Sequence, residues 1–343
     1  MSYRTGSDQS CSRLRMEIQD RSDLCFPLLL NSSCRKPTLH WSEVVLLNSV
    51  LLFISLITVV LNLLIIISVS HFRQLHTPTN ILLLSLGVSD FFVGLLLIPL
   101  EIYRFTFCWF LGDTMCVLFS YLMCNLISAS IWNIVLISVD RYVAICYPLH
   151  YPTRISLTRV KYCVCLCWFC ASSCSFVYSN DVRVQSGRSN FCIGECKFIT
   201  SYILGIFDLI FNFILPVTTI IVLYLRVFVV AVSQARSMRS HITVATFHSA
   251  ASRTKRSELK AARTLGVLVV VYLMCYCPYY CYSLVDVNLS STSYASISFF
   301  IFYSNSCLNP VIYALFYPWF RKAVKVIVTL QILQPGSHEA NIL

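Results

Sequence analysis

The chain has 343 residues, of which 57% are hydrophobic and only 12% are charged, with a mean hydropathy of +0.73 and a formal net charge of +11. A soluble domain would carry about twice that charged share, so the composition excludes an ordinary soluble protein and predicts an integral membrane protein. The basic residues lie mostly in the connections between apolar segments, so the net charge gives no reason to expect a nucleic-acid partner.

Seven apolar segments follow one another along the chain, each close to the ~20 residues that a helix needs to cross the hydrocarbon core. They occupy residues 44–70, 81–100, 114–139, 162–180, 198–225, 264–285 and 287–320. The last is long for one span, and its Asn309-Pro310 pair predicts a kinked helix followed by a short surface helix. The sequence therefore predicts an all-α membrane protein, built as a seven-transmembrane helix bundle.

The basic residues in the connections predict how the bundle lies in the membrane. Sixteen of the 26 Lys and Arg residues fall in one set of connections and the C-terminal tail, against four in the opposite loops. Because cytoplasmic connections are enriched in Lys and Arg, we expect a multi-pass plasma-membrane protein with its N-terminus outside and its C-terminus inside. Its predicted parts are an extracellular segment over 1–42, the bundle over 43–317, and a short amphipathic eighth helix with a cytoplasmic tail over 318–343.

Seven of the 18 cysteines lie on the predicted extracellular side. The others lie mostly inside spans, where a free thiol behaves as a small apolar group. Only the outer cysteines meet an oxidising environment, and these are Cys11, Cys25, Cys34, Cys108, Cys116, Cys192 and Cys196. On the same side, Asn31 and Asn288 begin Asn-x-Ser sequons and are the predicted glycosylation sites.

Two acids, Asp90 and Asp208, are the ones that the sequence places deep inside spans, where a charge costs at least ~2.5–3.5 kcal/mol. Asp208 stands in the stretch FDLIFNFILP, residues 207–216. One interpretation is structural, a protonated acid or one bonded to a neighbouring helix. The other is functional, a carboxylate placed to receive a cation.

A second group of charges lies at the predicted cytoplasmic end of the third segment, in the triplet Asp140, Arg141 and Tyr142. Arg141 can pair with Asp140 or with Glu258, which stands just before the sixth segment. Breaking a bridge between two helices would supply the two-state element that a switch requires. A simple membrane-anchoring role is the alternative.

Eight features occur in the order typical of rhodopsin-like G-protein-coupled receptors, and the chain resembles that family over residues ~40–330. They are Asn62, Asp90, Trp109, Cys116, the triplet 140–142, Pro216, CYCP at 275–278 and NPVIY at 309–313. The stretch NSCLNPVIYALFYPWFRKAVK, residues 305–325, resembles the seventh-helix signature of trace amine-associated receptors. The cysteines of LCFPLLLNSSC and CIGEC are similar to that family's extracellular pattern.

The resemblance implies roles for several residues. Cys116 would bridge to Cys196, and Cys25 would bridge to Cys192, with Cys34 as the competing partner. A sodium ion is implied at the polar centre, with a neutral hydrogen-bonded Asp90 as the alternative, and its residues would be Asp90, Ser130, Asn305 and Asn309. The activation switch would comprise Asp140, Arg141, Tyr224, Glu258 and Tyr313. Leu149 would contact the G protein.

The sequence departs from the wider family at the third helix, where an aspartate clamps the ligand's ammonium in aminergic relatives. Met123 stands at that position, seven residues after Cys116 and five turns before Arg141, so it faces the bundle interior. A branch of olfactory trace amine-associated receptors in fishes looks similar, because it lacks that acid and carries one on the fifth helix. The resemblance thus implies that Asp208 binds the ammonium, with the ligand's tail directed toward helices three and seven.

The predicted walls of this site come from two helices, six and seven, while Asn212 on helix five would orient the carboxylate. Their aromatic residues have i, i+3 or i+4 spacing, so each helix presents one face, and aromatic faces attract an ammonium by ~0.5–2 kcal/mol. Core packing is the alternative for each ring. With Asp208 and Met123, the candidate residues are Asn212, Tyr276, Tyr279, Tyr280, Phe299 and Tyr303. Tyr276 and Tyr272 replace the tryptophan and phenylalanine of many relatives, so both hydroxyls need partners.

The resemblance implies a receptor for small protonated amines, of trace-amine or odorant type, that acts in olfactory neurons through a stimulatory G protein and raises cyclic AMP. An enzyme is not expected, because no nucleophile–base set or metal-ligand cluster occurs in an accessible place. The first rival is a receptor of the same fold for a non-amine ligand, with Asp208 structural. A small-solute transporter or channel is disfavoured by the odd number of spans, and a receptor pseudogene product is the third alternative. A single pocket acid favours a monoamine over a diamine.

Overall fold

The computed structural model describes residues 24–29, 32–36, 41–188, 192–198, 200–241, 249–285, 292–339 and 342. Inside its helices, the side chains of residues 41, 43, 185–188, 231, 234–241, 249–265, 285 and 292–296 are left undescribed. The predictions for Cys11, Asn31, Asn288 and the side chain of Glu258 therefore lie outside the described residues.

Among the described residues, seven helical spans are long and apolar enough to cross a membrane, as the sequence predicted. In chain order the helices are Trp41–His71, Pro78–Phe92, Ile98–Thr106, Gly112–Cys146, Leu157–Arg188, Tyr202–Leu209, Leu215–His241, Ser249–Val285 and Thr292–Phe316. The second span joins Pro78–Phe92 to Ile98–Thr106 through a π-helical turn, Val93–Leu97. The fifth joins Tyr202–Leu209 to Leu215–His241 through another, Ile210–Ile214. By this numbering the third span is the most buried and the fifth the least.

The seventh predicted segment ends earlier than the sequence suggested, and the predicted eighth helix follows it as Pro318–Val328. This helix is amphipathic because Trp319, Phe320 and Ala323 are buried while Arg321 is exposed. Shorter helical turns occur at Arg73–Leu75, Tyr151–Arg154, Gln331–Leu333 and Ser337–Glu339.

Proline leaves a gap in the hydrogen-bond ladder of the seventh span. Pro310 has no N–H to donate, so the carbonyl of Ser306, four residues earlier, lacks its helical partner. Asn62 of the first span donates its amide to that carbonyl at 3.1 Å. Neighbouring helices commonly satisfy freed carbonyls in this way inside a membrane, and the contact ties the first span to the seventh.

Tyr272 does the same for the fifth span. Pro216 cannot donate to the carbonyl of Asn212, and the buried Tyr272 hydroxyl donates to it at 3.2 Å. We expect Tyr272→Phe to lower the stability of the detergent-solubilised protein by about 1–3 kcal/mol, because a buried acceptor loses its donor. Thermal unfolding would measure this, with Tyr202→Phe, a change at an exposed tyrosine, as the control. Equal melting temperatures for the two variants would contradict the assignment.

Among the described residues, three disulfides join the N-terminal segment and the connections at one end of the bundle, which we call the disulfide end. The pairs are Cys25–Cys108, Cys34–Cys192 and Cys116–Cys196. The third pair is the one that the family resemblance implies. The predicted Cys25–Cys192 bridge is wrong, and Cys34, the competing partner, bonds Cys192 instead.

The backbone around residue 34 explains this correction. Cys34 donates its N–H to the carbonyl of Ile193 at 2.9 Å, and the N–H of Ile193 donates to the carbonyl of Ser32 at 2.6 Å. This pairing places Cys34 beside Cys192, with a Cα–Cα distance of 4.8 Å. Cys25 lies across the N-terminal turn, where Cys108 is within reach at 5.7 Å.

The two pairings can be told apart by mass spectrometry of a non-reduced digest. We expect cross-linked peptides that join Cys25 to Cys108 and Cys34 to Cys192, because each pair meets the Cα–Cα distance that a disulfide requires. Reduction before digestion is the control and should release all of them. A peptide that joins Cys25 to Cys192 would contradict the structure.

Candidate functional site

Asp208 lies near the end of Tyr202–Leu209, one turn before Asn212. Its Oδ1 atom accepts a hydrogen bond from the Asn212 amide at 2.8 Å, and its Oδ2 atom accepts one from the Tyr280 hydroxyl of the sixth span at 3.4 Å. In the part of the chain that the structure describes, no Lys, Arg or His nitrogen lies within 4.0 Å of this carboxylate. The carboxylate therefore keeps acceptor capacity for a further donor.

A cavity that we call the inner cavity lies between Asp208 and the third, sixth and seventh spans. It offers about 30 Å³ to a water-sized sphere, which is room for a water or two and not for a carbon chain. Six of the eight predicted ligand residues line it, together with Cys124, Ile127, Ser128, Tyr178 and Phe302. These six are Met123, Asp208, Asn212, Tyr279, Tyr280 and Phe299.

Two predicted ligand residues, Tyr276 and Tyr303, do not line the inner cavity. Tyr276 lies one turn from Tyr280, and its hydroxyl is 3.4 Å from the Asn305 amide. Tyr303 lines a separate cavity between the first, second and seventh spans. Helical spacing placed both rings on the ligand face, but the tilt and rotation of the helices, which spacing does not determine, direct them elsewhere.

A second polar cluster surrounds Asp90, which is fully buried. Its carboxylate accepts hydrogen bonds from the Ser130 hydroxyl at 3.0 Å and from the Asn309 amide at 2.9 Å. Asn305 donates to Tyr276 instead, and its buried Oδ1 atom has no partner among the described residues. Carboxylate, hydroxyl and amide oxygens are the ligands that a hard cation prefers, so these residues fit a sodium ion.

Asp140 and Arg141 form an ion pair at the end of the third span. The Arg141 guanidinium is 2.5 Å from Asp140 Oδ2 and also donates to the Thr79 hydroxyl. Asp140 accepts further hydrogen bonds from Thr79 and from Tyr151, each at 2.8 Å. The structure thus shows the first of the two predicted partners of Arg141, and these contacts tie the third span to the second.

Two further switch residues, Tyr224 and Tyr313, are close-packed and do not bond Arg141 in the described structure. Tyr224 packs on Gly266 of the sixth span, where a Cβ atom would come 2.7 Å from the tyrosine hydroxyl. Tyr313 is buried, and its hydroxyl has no partner among the described residues. Leu149 is 88% exposed, so its side chain is free to contact another protein.

Comparison with known proteins decides the family. Residues 61–313 match the family described as 7 transmembrane receptor (rhodopsin family). The chain is 38% identical over 338 residues to Trace amine-associated receptor 13c of Danio rerio, covering 96% of this chain and 98% of that protein. Trace amine-associated receptor 6 of Homo sapiens is 36% identical over 331 residues, covering 93% and 95%. The chain belongs to the trace amine-associated receptors.

As a trace amine-associated receptor, the chain is a G-protein-coupled receptor and not an enzyme, and both predictions are confirmed. Its family implies a ligand and a G protein as partners. Several motif residues that carried the resemblance form hydrogen bonds between spans. Asn62, Asp90 and Asn309, for example, all bond across helices at the polar centre of the bundle.

The receptor holds a further buried acid that the apolar segments of the sequence did not include. Glu101 is 4% exposed and forms an ion pair with Arg104, one turn further along the second span. Arg104 also donates to the carbonyl of Cys196 at 3.2 Å, and its guanidinium lies 5.6 Å from the ring centre of Phe299. The i, i+3 spacing of opposite charges was the signal that could have found this pair. Because Arg104 neutralises it, Glu101 is not a second free anion near the site.

Proposed function

We propose that this receptor is activated by small protonated amines whose ammonium group binds Asp208. The carrying observation is a part-buried carboxylate with no cationic partner among the described residues. Two further oxygens on the wall of the inner cavity, Asn212 Oδ1 and Ser128 Oγ, are buried and have no partner in the described structure. An ammonium has three N–H donors, and a buried charged pair is stable when further hydrogen bonds satisfy it.

The rings around the carboxylate favour an ammonium. Tyr279, Tyr280 and Phe299 line the same cavity, and an aromatic face adds ~0.5–2 kcal/mol of attraction for a cation. Met123 also lines the cavity, but a thioether carries no charge to neutralise the ligand. The ammonium therefore binds Asp208 on the fifth span.

The ligand's tail was expected to point toward the third and seventh spans. Aromatic rings are packed closely in that direction. The ring centre of Tyr279 lies 4.8 Å from that of Phe302 and 5.3 Å from that of Phe299. These are contact distances for aromatic pairs, so a tail in that direction would have to displace rings. The head group alone fits the inner cavity as it stands.

For signalling, we infer that the disulfide end faces outside and that the receptor raises cyclic AMP through a stimulatory, olfactory-type G protein in olfactory neurons. Disulfides persist in oxidising surroundings, and the basic connections lie toward the opposite end. The proposed glycosylation of Asn31 and Asn288 requires the same orientation. The exposed Leu149 supports a G-protein contact on the other face.

A sodium ion at the polar centre is part of the proposal. Asp90, Ser130, Asn309 and the unpartnered Oδ1 atom of Asn305 would hold it. A bound cation would keep a fully buried carboxylate charged, which burial alone strongly disfavours.

The experiment that tests the proposed function compares amines with neutral ligands of equal size. Cells expressing the receptor would be given primary alkylamines and the alcohols of the same chain length, with cyclic AMP as the readout. We expect responses to the amines alone. A response to the alcohols at equal concentrations would favour the rival receptor for a non-amine ligand, and transport of the amine without a cyclic AMP response would favour a transporter.

A further inference from the structure

Asp208 borders a second, larger space on the outside of the bundle. This space, which we call the lateral cleft, lies between the fourth and fifth spans and offers about 310 Å³ to a water-sized sphere, against about 30 Å³ in the inner cavity. Four residues line both spaces, namely Cys124, Tyr178, Asp208 and Asn212. The carboxylate thus stands where the two spaces meet, and the larger one has room for a carbon chain.

The lateral cleft opens toward the hydrocarbon of the membrane. Val177 and Phe207 line it and are 54% and 46% exposed, and both lie inside membrane-spanning segments. Phe207 is five residues into its helix, which places it roughly 8 Å below the helix start at 1.5 Å per residue. The rim is therefore in the leaflet near the disulfide end.

The lining of the lateral cleft is apolar except at its inner end, where Asp208 lies. The residues that belong to the cleft alone are Ser173, Cys174, Val177, Leu204 and Phe207. The free thiol of Cys174 counts as a small apolar group, and the Ser173 hydroxyl is bonded to the carbonyl of Phe169 at 2.9 Å. Among the described residues, Asp208 is the one acid on this lining, so charge complementarity selects an occupant with a cationic head and an apolar tail.

We propose that the lateral cleft receives the aliphatic tail of the activating amine while its ammonium binds Asp208. The inference rests on the proposed function and adds a ligand class, primary amines with a linear alkyl chain that lies between the fourth and fifth spans. Such a ligand reaches the site from the lipid side, and its tail needs no displacement of the rings that close the inner cavity.

The test is a chain-length series. Cyclic AMP responses to butylamine, hexylamine, octylamine and decylamine would be measured for the wild type, for Val177→Trp, which fills the cleft, and for Val50→Trp. Val50 is the matched control because it is half-exposed and lines the cavity between the first, second and seventh spans, away from Asp208. Partition of long amines into lipid is the same for all three receptors and cancels in the comparison.

For the wild type and Val50→Trp, we expect potency to rise by up to about fourfold for each methylene that enters the cleft. For Val177→Trp, octylamine should be at least tenfold weaker than on the wild type, while butylamine stays within about threefold. A rise that is unchanged in Val177→Trp would overturn the tail placement and leave the Asp208 function standing. Butylamine responses that survive Asp208→Asn would overturn the function itself.

A second measurement covers the case in which Val177→Trp does not reach the cell surface. Leu204→Trp fills the same cleft from the fifth span. Octylamine should be at least tenfold weaker on this variant than on the wild type, while butylamine stays within about threefold. An octylamine potency that is unchanged in Leu204→Trp would overturn the proposal.

Discussion

Asp208→Asn will lower the potency of amine agonists by about 100-fold or more, with normal expression at the cell surface. Leaving one partner of a buried charged pair without the other costs about 3 kcal/mol, which is about two orders of magnitude in affinity. Asparagine keeps the shape of the side chain. Its oxygen can accept from Asn212 and its NH2 group can donate to the Tyr280 hydroxyl, so the loss would report the charge and not the packing. Cyclic AMP dose–response curves in transfected cells measure it.

A matched acid on the same receptor provides the control. Asp113, at the start of the third span, is exposed, so Asp113→Asn removes the same charge from the chain without entering the site. We expect it to change potency by less than about threefold, because an exposed charge is screened by water and salt. If the two variants respond alike, or if Asp208→Asn signals as the wild type does, Asp208 is structural and the amine proposal is wrong.

Glu101→Ala will destabilise the receptor by about 3–5 kcal/mol, the largest stability effect that we expect from one substitution. It leaves the guanidinium of Arg104 buried without its counter-charge, and such a break costs far more than the pair itself contributes. Arg104 also bonds the carbonyl of Cys196 and faces Phe299, so the loss would loosen the wall of the ligand site. Thermal unfolding in detergent and the amount of receptor at the surface both measure it.

The double variant Glu101→Leu with Arg104→Met separates charge from packing. Because both charges are removed together, we expect most of the lost stability to return. Glu195→Ala is the control, since Glu195 pairs with Lys197 at 2.9 Å but both side chains are well exposed, and such pairs contribute about 0–1 kcal/mol. A double variant no more stable than Glu101→Ala would show that the ion pair itself, and not the stranded charge, stabilises this end of the bundle.

The charges near the site also bear on the monoamine expectation. Glu101 is a second buried acid at the same end of the bundle, but Arg104 neutralises it within one helix. Among the residues that the structure describes, Asp208 therefore remains the one acid on the wall of the inner cavity. A lining with one acid favours a ligand with one ammonium group.

The sequence by itself determined the number of spans, the family and the positions of two acids inside spans, Asp90 and Asp208. Span number follows from runs of ~20 apolar residues, and the buried carboxylates stand out because charge is costly in hydrocarbon. Asp208 and Asp90 both line polar sites in the structure for that reason. These properties are local, since a residue's height in the membrane depends only on its distance along its own helix.

Only the tertiary structure decided which side chains meet between helices. Cys34 and not Cys25 reaches Cys192, Tyr272 bonds the carbonyl that Pro216 leaves free, and Tyr303 lines a cavity other than the inner cavity. Each outcome depends on the rotation and tilt of whole helices and on the path of a short segment, which packing sets and periodicity does not. The lateral cleft beside Asp208 also depends on tertiary packing. It is a gap between two helices, so the sequence of one helix does not predict it.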